Sequence, residues 1–370
     1  MKFIIPTVKL NAMLSKVSKG VGNSKIMPIT EYVEMILDEE GELFITATDL
    51  ANFITVKAKL DGDQEPGKAV VKADVLSKLV AKTTVPKMTF KFNDKEGKVK
   101  GNGTYTLALF DGEEFPDYEF LGVEADKVTM DTSTLKKIFV VNKSAIANEV
   151  FMPCLTGYNV GTKAITTDGI KMCINSSPVF EGTTFASKPV LLTQTLADLL
   201  QGLVDDRVVI ERDGNKILFT TNDQTIFGTE LDGIDDYPDV TPILGMEYAN
   251  MAVLPRQPLL DSIDRLSLFV DKFDNNGIKL NFSEGDLTVQ ELKGNSVEVI
   301  HLEQHVKGEE VGEITVNINY LKDLLSVLSA DTVHVQYGEE LPLLFTEAAI
   351  SLVLSPMTDE SAEQPEKDSE

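Results

Sequence analysis

The side chains able to do covalent or metal chemistry are few and scattered. The 370 residues hold three histidines (His301, His305, His334) and two cysteines (Cys154, Cys173). His301-Leu-Glu-Gln-His305 puts two imidazoles four residues apart, the spacing of a helical zinc motif. Glu303, however, is one place off the position of a metalloprotease base, and the neighbours read as strand. The pair reads as accidental surface histidines, and His334 as one face of a strand. The cysteines lie in apolar surroundings; a disulfide between them stays open, and two buried thiols in a reducing cytosol is the simpler reading. There is no Gly-x-x-x-x-Gly-Lys-Ser/Thr loop to cradle phosphate. With 59 carboxylates in the chain, an acid–base pair has many candidates, and no spacing singles one out. The expectation is no catalytic residue, no metal and no cofactor.

Lysine is the chemistry-bearing residue with a pattern. The chain has 34 basic and 59 acidic residues and a net charge of −25, which argues against a whole-surface affinity for nucleic acid. Yet residues 1–30 carry Lys2, Lys9, Lys16, Lys19 and Lys25 and no carboxylate before Glu31. Lys68, Lys72, Lys78, Lys82 and Lys87 face only Asp74, and Lys136, Lys137 and Lys143 answer only Asp131. For one helix this is an ordinary solvated face. For the set, it suggests a positive inner face within a negative particle, which would hold a polyanion in one place and repel it elsewhere.

The elements that carry these lysines recur. Gly41-Glu-Leu-Phe-Ile-Thr-Ala-Thr-Asp-Leu50 aligns with Gly161-Thr-Lys-Ala-Ile-Thr-Thr-Asp-Gly-Ile170 at an offset of 120, with a one-residue slip at Thr-Asp, and an eroded copy begins at Gly285. Apolar residues at i, i+3, i+4 recur in the same order: Leu76, Leu79, Val80; Leu196, Leu199, Leu200; Leu321, Leu324, Leu325. This is helical spacing. Earlier helices precede each, with Leu10, Met13, Leu14 answering Leu135, Ile138, Phe139, and Leu259 to Phe269 blurring the register. The helices are expected over Thr7–Val21 and Ala73–Thr83, with strands between them. One domain written three times follows, divided at 1–124, 125–248 and 249–357. Residues 358–370, without an apolar anchor, read as a disordered acidic tail. No apolar run approaches a membrane span and no signal-peptide core is seen, so a cytoplasmic protein is expected.

Met1-Lys-Phe, Met27-Pro-Ile29, Ala47-Thr-Asp-Leu50, Phe115-Pro-Asp-Tyr118, Thr167-Asp-Gly169 and Ser355-Pro-Met357, in this order and spacing, resemble the β subunit of bacterial DNA polymerase III, the sliding clamp, of cellular or phage type. The resemblance covers Met1 to about Met357. It implies an α+β fold of three repeated domains, each of two helices packed on antiparallel β-sheets. Two subunits would pair head to tail into a ring that encircles duplex DNA, tethers the replicative polymerase and confers processivity without reading sequence. The partners implied are double-stranded DNA, the polymerase, a clamp loader and other proteins with clamp-binding motifs. Lys16, Lys19, Lys25, Lys72, Lys78, Lys82, Lys136, Lys137 and Arg256 would face DNA. Leu155, Thr167, Gly169, Ile170, Met172, Val240, Val353, Ser355, Pro356 and Met357 would line a groove between repeats 2 and 3 for partner peptides. Tyr105 and Leu107, on an edge strand, would meet Leu268 and Phe269 of a second subunit. The chain departs from the family in its acidic tail and in lacking a basic residue near Val240. The competing class is a non-catalytic β-rich scaffold or adhesion array that does not bind DNA.

Overall fold

In the computed structural model, which describes residues 1–22, 26–110, 115–120, 122, 126–148, 152–177, 180, 185 and 188–357, the period-two stretches are strands and the three–four stretches are helices. The helices are α1 (Thr7–Val17), α2 (Ala73–Ala81), α3 (Thr132–Asn142), α4 (Gln194–Leu200), α5 (Arg256–Leu266) and α6 (Ile318–Ser326), with a single turn at Thr241–Leu244. Among the described residues no helix is long and apolar enough to cross a membrane.

The chain divides into two compact units. The first comprises Met1–Lys136 and Leu192–Glu230 and contains one antiparallel sheet of twelve strands. Alternation sets its faces: Val33, Met35 and Leu37 of strand Tyr32–Leu37 are buried, and so are Leu43, Ile45 and Ala47 of strand Glu42–Thr48. A one-residue slip would turn each set to the wrong side, and the observed register pairs Met35 with Ile45 and Leu37 with Leu43. Leu10, Met13, Leu14 and Val17 of α1 and Leu76 and Val80 of α2 are buried, where α1 packs on α2 and on strands Glu42–Thr48 and Phe53–Lys59. Strand Phe53–Lys59 then joins strand Gln224–Thr229, with Phe53 opposite Phe227 and Val56 opposite Gln224.

The second unit comprises Lys137–Leu191 and the chain from Leu231 onward. It holds a nine-stranded and a four-stranded antiparallel sheet. Its principal core gathers Leu259, Ile263 and Leu266 of α5 and Leu321, Leu324 and Leu325 of α6 with inward residues of both sheets. In the nine-stranded sheet, strand Lys171–Asn175 pairs with Ala164–Thr167 on one side and with Ile350–Leu354 on the other.

Some local expectations shift. The α-helix expected to reach Val21 ends at Val17 and tightens into a 3₁₀ turn over Ser18–Gly20. Gly20 lies so close to Ile54 that a Cβ there would sit 2.2 Å from Ile54 Cγ2, and the Ser18 hydroxyl donates back to the Ser15 carbonyl at 3.2 Å. The second helix stops at Ala81, and the Thr83 hydroxyl donates to the Leu79 carbonyl at 2.8 Å, closing its end. Leu79 is only half-buried.

Candidate functional site

The repeated Thr-Asp turn is built by its own side chains. Thr167 Oγ1 accepts the Gly169 amide at 3.1 Å and donates to the Lys171 carbonyl at 2.9 Å. Asp168 Oδ1 accepts the amides of Ile170 at 3.0 Å and Lys171 at 2.8 Å. Short polar side chains bonding the backbone two and three residues on are what make Asx- and Ser/Thr-turns. Gly169 supplies φ +91°, and a Cβ built on it would meet nothing within 4 Å. The first copy repeats the wiring: Thr48 Oγ1 accepts the Leu50 amide at 2.8 Å and donates to the Asn52 carbonyl at 2.8 Å, and Asp49 Oδ1 accepts the amides of Ala51 and Asn52. The structural offset at this turn is therefore 119, Thr48 to Thr167, which is the slip seen in the alignment.

Beside the second turn, Met172 lies opposite Val353, and Met172, Ile174, Val240 and Val353 form one buried cluster with Ile165, Ile243 and Leu344 on its margin. Met172, expected to line the groove, is only 4% exposed, with Val240 in the same cluster at 8%. Leu155 departs further. It is buried in a separate cluster with Cys154, Ala147 and Leu191, packed against Tyr237, and Tyr237 reaches back to donate to the Ile165 carbonyl at 3.1 Å. Thr167 is buried and spent on the turn.

The open part of the groove is a cleft of about 380 Å³ lined by Ile170, Ser355, Pro356 and Met357 together with Asn275, Asn317 and Tyr320. Ile170 is 46% exposed at its mouth. The Ser355 amide donates to the Ile170 carbonyl at 2.9 Å and the Met357 amide to the Thr315 carbonyl at 2.8 Å, which holds the segment after the last strand along the cleft. Asn317 caps α6 by accepting the amides of Asn319 and Tyr320, and its amide nitrogen donates to the Asn275 carbonyl at 2.6 Å. Lys171, nearly buried, lies with Nζ 5.0 Å from the Tyr320 ring centre and 3.2 Å from Asp323 Oδ2. Mixed apolar walls with a few placed amides suit a short amphipathic peptide. Sequence reading missed Asn275, Asn317, Tyr320 and Lys171. Nothing local ties Asn317 or Tyr320 to a turn some 150 residues earlier.

The helix lysines divide by their partners. Lys16 pairs with Asp223 at 2.8 Å, Lys72 with Glu31 at 2.9 Å and Lys78 with Asp74 at 2.7 Å. Lys136 donates to the Leu203 carbonyl, and Arg256 Nε to the Ala330 carbonyl at 2.7 Å. Lys19, Lys82 and Lys137 are exposed and have no ion pair among the described residues. Lys25 lies outside the described residues, as do residues 111–114 of the first linker and the tail from 358.

Two stretches of unpaired strand edge among the described residues bear on the expected subunit contact. Strand Thr104–Phe110 pairs along its length with Glu96–Lys100 but meets Gly67–Lys72 only at Leu109 and Phe110. Tyr105 is 36% exposed, whereas Leu107 turns inward at 6%, so the edge offers Leu107 main chain and not its side chain. In the four-stranded sheet, Val297–His301 is one of the two terminal strands, with Val297 and Val299 exposed and no signal in the sequence to single them out. Leu268 and Phe269, just past α5, are 78% and 61% exposed.

The remaining reactive groups are tied down. His301 Nδ1 contacts Asp286 Oδ1 at 2.5 Å and His305 Nε2 contacts the Tyr337 hydroxyl at 2.6 Å, so each ring has its own partner. Burial pushes the Cys173 thiol up to about 12, far from a nucleophile's range.

A family model described as DNA polymerase III beta subunit, N-terminal domain, matches residues 1–119, and one described as the C-terminal domain of the same subunit matches residues 241–367, together more than half of the chain. The beta sliding clamp of Bacillus subtilis is 23% identical over 98% of this chain and 98% of its own length. The beta subunit from the DNA polymerase of Streptococcus pyogenes superposes with a TM-score of 0.87 at 17% identity, covering 96% of this chain and all of that one. A sliding clamp from Pseudomonas aeruginosa, solved bound to griselimycin, gives 0.86 at 22% identity over 97% and 99%.

Proposed function

The chain belongs to the DNA polymerase III beta subunit family, and from that premise we propose how it works as a DNA sliding clamp, a non-catalytic processivity factor. The observation that carries the reading is the match of both family models to the two ends of one chain whose helix lysines stand out against a net charge of −25. Three repeats, 1–124, 125–248 and 249–357, are the units of the ring. Two copies pair head to tail, each giving the open edge at Thr104–Ala108 to the partner's terminal strand Val297–His301, with Leu268 and Phe269 packing beside the junction. An unpaired edge strand is a template for a second chain, and two such contacts close a twofold ring.

Duplex DNA passes through the ring, so attachment is topological. Lys19, Lys82 and Lys137, with their unpaired charges, lead the phosphate contacts, while Lys16, Lys72 and Lys78 are partly neutralised by their carboxylates. Contacts to phosphate carry no sequence information and allow sliding. The replicative polymerase, the clamp loader and other partners dock short peptides along Ile170, Tyr320 and Ser355–Met357, with Met172, Val240 and Val353 as an apolar floor that rearranges to admit a side chain. Methionine suits such a floor because its side chain adapts to different shapes.

The test is retention on DNA. After loading, the protein should co-elute with nicked circular duplex in gel filtration and be released when the circle is linearised. A permanent monomer, or equal retention on both forms, would overturn the reading.

A further inference from the structure

The two Thr-Asp turns share their wiring, so their surroundings can be compared position by position. Thr48 pairs with Phe53 across the first turn as Thr167 pairs with Met172 across the second. Phe53 then lies opposite Phe227, as Met172 lies opposite Val353. The linkers follow suit: Phe115-Pro-Asp-Tyr118 aligns with Tyr237-Pro-Asp-Val240, which sets Tyr118 in the place of Val240. One thioether and two isopropyl groups in the second copy are thus replaced by three aromatic rings in the first.

Those rings are locked together. Tyr118 stacks on Phe227 at 4.3 Å with planes 17° apart, and its centroid is 5.1 Å from that of Phe53. Phe53 meets Phe227 edge-on at 5.9 Å. Phe53 and Phe227 are 4% and 5% exposed under the half-buried Tyr118. Aromatic side chains have only two torsions, and pairs in these geometries attract beyond simple burial. Methionine and valine contacts are weaker and more easily repacked.

We propose that the first turn is a second peptide slot that the chain fills with its own Tyr118, so that Tyr118 confines partner docking to one slot per chain. The proposal rests on the peptide reading of the Gly169 turn. Tyr118 sits where the apolar side chain of an incoming peptide would sit, and it competes as a covalently attached group, at an effective concentration no free peptide matches. In the second slot the equivalent residue, Val240, is too small to do this.

The probe is a synthetic hexapeptide carrying one glutamine and a Leu-Phe pair, titrated calorimetrically into the full chain. The parent is expected to bind one peptide per chain, and Tyr118→Val two. In Tyr118→Val combined with Met172→Ala, the site beside residue 118 should survive alone. If the parent binds none and Tyr118→Val binds one, the Gly169 groove is lost while this proposal stands. If Tyr118→Val keeps its circular dichroism and still binds one, or neither protein binds, the proposal fails. A second measurement does not depend on opening the slot. The chain contains no tryptophan, so Tyr118→Trp emission reports that position alone. With the slot still filled by a ring, the hexapeptide should bind once and leave the emission unchanged; a shift on binding would show that peptide reaches the first slot past the ring and would overturn the assignment.

Discussion

Leu50, at φ +79°, holds the left-handed backbone conformation that Gly169 holds at φ +91° at the same step of the repeated turn. In both, a threonine hydroxyl two residues earlier accepts the amide, at 2.8 and 3.1 Å. The turn therefore does not demand glycine; it tolerates a side chain at a cost. Gly169→Ala should lower stability by about 1 kcal/mol, the usual penalty for a Cβ in this region, and barely change peptide binding. Gly169→Leu should add a side chain beside Ile170 and weaken the peptide at least tenfold. Urea unfolding and calorimetry check the pair, and parental affinity in Gly169→Leu would move the site elsewhere.

Met172→Ala removes a buried side chain from the cluster with Val240 and Val353. Truncation there should destabilise the protein by about 3 kcal/mol. It should also weaken peptide binding while leaving the dimer intact. A fall in melting temperature with unchanged affinity would make the residue core and nothing more.

Leu268 and Phe269 are already exposed, so replacing both by alanine should cost the single chain little stability. The dimer should instead dissociate, read as monomers in sedimentation velocity with an unchanged circular dichroism spectrum. Val299→Lys, on the terminal strand, tests the same interface by burying a charge; a dimer that survives both variants is built from another surface.

Alanine at Lys19, Lys82 and Lys137 together should flatten the salt dependence of duplex binding by about 1 in log–log slope for each phosphate no longer neutralised. Alanine at Lys16 and Lys78, whose charges are shared with Asp223 and Asp74, should change it less. The equilibrium is measured on a short duplex across a salt series. Equal effects from the two sets would mean that the ion pairs open when DNA arrives.

Cys154 and Cys173 are buried and free, and should resist a thiol reagent at pH 8 until denaturant is added. Burial raises the Cys173 thiol from 9.0 to about 12. Because the folded value is the higher one, its contribution to stability is whole below pH 9 and fades as pH rises from about 9 to about 12. Chemical unfolding at pH 7, 9 and 11 should show a decline only in the last step, smaller in Cys173→Ala.

What the sequence determined by itself was local or periodic. The strands and helices follow from which residues alternate and which recur every three or four, since each pattern can bury its apolar side in only one kind of element. The Thr-Asp turn is equally local: its hydrogen bonds span Thr167 to Lys171, and so it was legible twice in the same letters. The family motifs ride on these local features. Tertiary structure alone decided the long-range choices. Strand pairing across the sheet sets Met172 against Val353 and buries both of these residues expected to line the groove, and it turns Leu107 inward while leaving Tyr105 outward. Asn275, Asn317 and Tyr320 join Ile170 only because the last strand and α6 close around the turn. Lys16 gives up its free charge to Asp223, 207 residues away. No local propensity encodes such a meeting: it is fixed when whole sheets choose the register that buries the most apolar surface, and the side chains at each site inherit the neighbours that register brings.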